Sequence, residues 1–149
     1  MKKRVLAGVL VCLLCFMAGC GKTAKLDVDA CVAFILENAA FQDTLEELPR
    51  DAVAWRYGVG DEVTARAFAG SGATAEEFCV VKAADEKAAE ALFEKLEQYL
   101  ADTRASFAGY LPLEVKKIDD AFLKRCGDAV VLVVGADSDA KEKIAQFCA

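Results

Sequence analysis

Six consecutive residues, Ala129-Val130-Val131-Leu132-Val133-Val134, are apolar at every position, and no other segment restricts the fold so tightly. Side chains along a strand point alternately to opposite faces, so an unbroken apolar strand needs cover on both faces, or nearly so. Residues 129 to 135 are therefore read as a central strand. The Gly127-Asp128 pair before it suits a two-residue hairpin turn of the primed type, which makes Ile118 to Cys126 its partner. A second hairpin joins Glu62 to Ala69 with Glu77 to Ala83 across the glycine-bearing loop 70–75.

Helical spacing accounts for most of the rest. Val28, Cys31, Val32, Ile35 and Ala39 form one stripe over Asp27 to Ala40, with Asp27 as its cap. Thr44-Leu45-Glu46-Glu47 has the form of a capping box, but Pro49 stops any helix early. Asp51 to Tyr57 reads as a short helix ended by Gly58. Asp85 to Phe107 is the longest element, with Leu92, Leu96, Tyr99 and Phe107 along one face. A last helix, capped by Asp137 or Ser138, runs to Cys148. The expected architecture is α+β: a four-stranded, mostly antiparallel sheet of two hairpins in the order β-β-α-β-β-α. Helices pack on one face of it, and an N-terminal helix precedes it.

The first residues carry a different signal. Lys2, Lys3 and Arg4 precede the uncharged apolar run Val5 to Phe16, which is shorter than the roughly 20 residues of a spanning helix. Met17-Ala18-Gly19-Cys20 then places small residues directly before a cysteine. This is the form of a lipoprotein signal peptide, residues 1–19, with Cys20 as the lipidated residue and Met17 where leucine is usual. Residues 20–26 read as a short tether and 27–149 as one extracytoplasmic domain. Two acyl chains on Cys20 give stable attachment where one would be marginal.

Charge and composition narrow the activity. The chain carries a formal −6, and losing the three basic residues of the signal takes it to −9. Such a domain has little with which to neutralise phosphates, which argues against nucleic acid. The sequence contains no histidine, so the commonest general base, the commonest metal ligand and every Ser-His or Cys-His pair are absent. Neither a metal nor a cofactor is expected. Asp27-Val28-Asp29 and Asp137-Ser138-Asp139 lack the glycine and terminal glutamate of a calcium loop and read as helix caps. Glu90, Glu94 and Glu97 read as a solvated helix face, and Ser71 to Thr74 as a hairpin loop.

Beyond Cys20 the domain holds Cys31, Cys79, Cys126 and Cys148. No framework spacing is visible, and they read first as buried thiols. If one pair bonds, the choice is Cys126 with Cys148, because the last helix runs back along its preceding strand toward the 126–129 turn. Cys79 lies in an apolar strand without a neighbouring base, which blunts a thiol. Trp55, Tyr57 and Tyr110 lie outside the obvious core stripes and mark a possible contact surface.

Several of these segments, in order, resemble one family. Tyr57-Gly58, the loop Ser71 to Glu77, Lys82-Ala83-Ala84-Asp85-Glu86, Tyr110-Leu111-Pro112 and the Gly127-centred hairpin are similar to the small bacterial lipoproteins of domain-of-unknown-function family 4358. The resemblance covers about residues 28 to 147. Ala129 stands where the pattern suggests an aromatic. The resemblance implies a Gram-positive envelope protein on the outer face of the cytoplasmic membrane, and it lends no enzyme activity. The leading expectation is thus a non-enzymatic binding or accessory module whose partner is another envelope protein. The alternatives are a carrier of a small apolar or peptide ligand, and a thiol enzyme using Cys79 or Cys126.

Overall fold

The computed structural model describes residues 25–149. The chain runs α1 (Val28–Asn38), β1 (Glu46–Glu47), α2 (Arg50–Tyr57), β2 (Thr64–Ala69), β3 (Glu77–Lys82) and α3 (Glu86–Tyr110). A 3-10 turn (Pro112–Glu114), α4 (Val115–Asp119), β4 (Phe122–Cys126), β5 (Ala129–Val134) and α5 (Ser138–Phe147) follow. The sheet order is β1-β2-β3-β5-β4 with every pair antiparallel.

The sheet has five strands, not four. The added strand is Glu46–Glu47, paired with Phe68 and Ala69, in the segment that resembled a capping box. Pro49 leaves no room for a helix to start there, and α2 begins immediately after it. The second hairpin also starts later than expected. Ile118 belongs to α4, whose one buried residue it is, and only Phe122–Cys126 pairs with β5.

Helices cover both faces of the sheet rather than one. Along β5 the odd positions Ala129, Val131 and Val133 join the core beneath α1 and α5, with Cys31, Ile35 and Ile144. Val130, Leu132 and Val134 join the core beneath α2, α3 and α4, with Val53, Leu96 and Ile118. Each buried valine or leucine there contributes about 1.5–3 kcal/mol by leaving water.

The helix ends follow local chemistry. Asp27, Asp85 and Asp137 each accept a hydrogen bond at 2.8 Å from the amide three residues on, the N-cap interaction. Gly58 closes α2 in the left-handed region, φ 63°.

The strands give the domain two poles. At the near pole Leu26 is already buried, and its carbonyl accepts from Lys82 Nζ at the end of β3. The folded unit thus takes in the final residue of the expected tether. The β4–β5 turn lies there too, beside Lys25 and Leu26. The other end of β3, Glu77, pairs with Val134, and the loop 70–75, the end of α3 and the start of α5 gather at this far pole. Six strand residues separate the poles, about 20 Å.

Candidate functional site

The far pole holds the two buried charged residues of the described core, Glu76 and Glu77, adjacent at the start of β3. Adjacent strand residues face opposite ways, so the two carboxylates enter different surroundings. Glu77 alternates with Cys79 and Val81 onto the α2–α3 side. Its Oε2 accepts from Tyr57 Oη at 2.8 Å and Arg56 Nε at 2.9 Å, with Arg56 Nη2 at 2.8 Å. Tyr99 Oη donates to its Oε1 at 2.8 Å. Arg56 Nε also donates to Tyr99 Oη at 2.9 Å. Helix α2 supplies Arg56 and Tyr57 on consecutive positions, and α3 supplies Tyr99 from the other side.

These partners set the titration of the phenols. Burial and then the Glu77 carboxylate push the Tyr57 and Tyr99 hydroxyls well above the ordinary phenol range. Burial disfavours a charged Arg56, yet the Glu77 carboxylate together with Tyr99 and Tyr57 outweighs it and holds the guanidinium more firmly protonated.

Glu76 organises the loop. Its Oε2 accepts from the Asp43 amide at 2.7 Å, and its Oε1 receives Lys117 Nζ at 3.1 Å. Lys117 also reaches Glu114 at 3.0 Å, and Glu114 accepts from the Ala75 amide at 2.9 Å. Asp43 Oδ2 in turn accepts from the Ser71 amide and hydroxyl, both at 2.9 Å. Those Ser71 hydrogen bonds hold the Asp43 carboxyl below its usual range. The 70–75 loop is thereby fixed by three acids from three segments.

Chemically, this arrangement orders side chains around two buried carboxylates. Every Glu77 and Glu76 oxygen already accepts at least one donor. Of the residues singled out from sequence, Trp55 is 87 % exposed and Tyr110 56 % exposed, while Tyr57 is 2 % exposed. Tyr57 is thus removed from the expected contact surface, since its ring is packed against Tyr99 and its hydroxyl is spent on Glu77. Leu113, 91 % exposed at the same pole as Tyr110, is the larger apolar projection.

Cys31 and Cys79 are buried free thiols. Burial pushes the Cys31 thiol up to about 11 and the Cys79 thiol further still. Cys126 and Cys148 are joined in a disulfide with Cα atoms 5.2 Å apart, so the expectation of four thiols is corrected for that pair. Of the two thiols expected as candidate nucleophiles, Cys79 is buried and Cys126 is disulfide-bonded. Clefts with volumes from about 200 to about 530 Å³ open among the described residues. Cys20, the signal 1–19 and most of the expected tether lie outside the described residues.

Sequence reasoning missed Arg56, Glu76, Glu77 and Tyr99 as a group. The available signal was two glutamates opening a strand otherwise made of Phe78-Cys79-Val80-Val81. Such charges at a strand start normally read as solvent-facing.

No match is found among curated proteins or among solved structures. The family described as Domain of unknown function (DUF4358) matches residues 41–135. That span is shorter than the 28–147 of the resemblance, and it includes the Arg56–Glu77 cluster, the 70–75 loop and the central hairpin. The chain belongs to the DUF4358 family of domains of unknown function.

Proposed function

We propose that the protein is a lipid-anchored, non-enzymatic binding module on the outer face of the cytoplasmic membrane, with an envelope protein as its partner. The observation that carries this reading is the polarity of the domain. The chain enters at the near pole, beside Lys82 and the β4–β5 turn. The exposed Tyr110 and Leu113 project at the opposite pole. An anchor through Cys20 would turn that far pole away from the membrane, toward whatever lies beyond it. The ordered loop 70–75 supports the same reading, since a surface held by Asp43, Glu76 and Glu114 loses little entropy on binding.

Two measurements test it in intact cells. Cys20→Ala should release the protein from the membrane fraction, and unchanged retention would refute the lipid anchor. A photoreactive residue placed at Leu113 should crosslink to one discrete envelope protein, while the same residue at the near-pole Ala149 should not. Equal or no crosslinking from both positions would refute a far-pole partner.

A further inference from the structure

The geometry points to the cleft beside Arg56 as a binding site for a carboxylate, with the guanidinium as its anchor. This inference rests on the binding-module reading and names the chemistry that module would recognise. The cleft has a volume of about 230 Å³ and is lined by Arg56, Gly72, Thr74, Phe107 and Tyr110, beside the start of β3.

Arg56 is arranged for this role. Its Nε and Nη2 are committed to Glu77 and Tyr99, which fixes the plane of the guanidinium. Among the described residues no acceptor lies on Nη1, and 35 % of the side chain stays exposed while Glu77 is 1 % exposed. A guanidinium carries five N–H donors, and the edge left over is a fork that fits a planar carboxylate. A buried ion pair costs desolvation and is weak evidence of stability on its own. Here it locks an arginine whose outer edge faces a cleft, the arrangement that preorganises a binding group.

The sign of the ligand follows from the same accounting. Each oxygen of Glu76 and Glu77 already accepts at least one donor from Lys117, the Asp43 amide, Arg56, Tyr57 or Tyr99, and both side chains are 1 % exposed, so a cationic ligand has little access to them. Arg56 is the sole cation among the residues lining the cleft, and one guanidinium already paired with Glu77 would support a dianionic phosphate poorly. A monoanion fits. Gly72, φ 90°, has open space where a Cβ would stand, which leaves the mouth clear. The tilted Phe107–Tyr110 pair, centroids 5.0 Å apart, offers a wall for the carbon attached to the carboxylate. Two sources supply this chemistry, a free small carboxylate and the C-terminus of a peptide chain.

The test uses the full chain, labelled with nitrogen-15 and held in neutral detergent micelles. It is titrated with acetate, with N-acetyl-alanyl-alanine, with the amide of that dipeptide and with inorganic phosphate. The expected result is saturable shifts of the Arg56 Nε–H and Gly72 N–H signals with the carboxylates and not with the amide. Dipeptide affinity about tenfold above acetate, which is about 1.4 kcal/mol, would identify a chain terminus as the source, and equal affinities a small carboxylate. Tyr110→Ala, at an exposed position, should weaken dipeptide binding severalfold without changing the fold. The inference is overturned if the amide shifts the same signals equally, if only phosphate does, or if none does. Crosslinking from Leu113 would be unaffected by that failure, so the two readings fail separately.

Discussion

At the scale of single residues, the behaviour of the far pole depends on Glu77. One carboxylate accepts from two phenols and a guanidinium, and removing its charge leaves all three donors facing a neutral amide. Breaking a buried pair costs about 3–5 kcal/mol, and because Arg56 keeps part of its side chain in water, Glu77→Gln should cost about 2–3 kcal/mol. Urea unfolding reads this directly, and a loss below half a kcal/mol would mean that the cluster contributes only order. The phenols and thiols predict alkaline sensitivity. Tyr57, Tyr99, Cys31 and Cys79 all ionise less readily folded than unfolded, through burial first. Their contribution is whole below the unfolded values, 9.0 for a thiol and 10.0 for a phenol, and is lost as pH rises beyond them. Urea midpoints should therefore fall steadily above pH 9. At pH 8 iodoacetamide should label neither free thiol until denaturant is added, and rapid labelling of the native protein would contradict the burial.

Among the elements, β5 is where sequence and fold agree most closely. An apolar residue at all six positions fits a strand covered on both sides, and its two faces do enter two cores. The capped helices were legible for a similar reason, since Asp27, Asp85 and Asp137 precede clear helical stripes. What could not be read has equally physical causes. Strand β1 is two glutamates long, too short for periodicity, and it exists because β2 offers an open edge. In α4, Val115 and Ile118 sit at helical spacing, but five residues give no repeat. The far-pole cluster was hidden because its members come from α2, β3 and α3, which the chain order does not place together. Gly135 illustrates such a contact. Its φ is 96°, and a Cβ there would lie 2.7 Å from Glu76 Cγ, so Gly135→Ala meets both backbone strain and a buried side chain. The expected loss is about 2 kcal/mol, measurable as a lower thermal midpoint, and a neutral outcome would mean that the Glu76–Lys117 contact yields freely.

For the molecule as a whole, the disulfide is the long-range tie. Cys126 at the β4–β5 turn and Cys148 at the end of α5 are 22 residues apart, and closing a loop of that length is worth about 3 kcal/mol in the unfolded chain. Cys148→Ser should lower stability by up to that amount and expose Cys126 to alkylating reagents. Equal stability with and without reductant would show that the tie adds nothing to a domain already packed on two faces. The tie sits at the pole where Leu26 enters, and the strands run from there to the pole bearing Tyr110 and Leu113. A domain gripped at those two ends would carry mechanical load parallel to its strands. The ladder bonds would then resist tension together, in shear, instead of parting one at a time like a zipper.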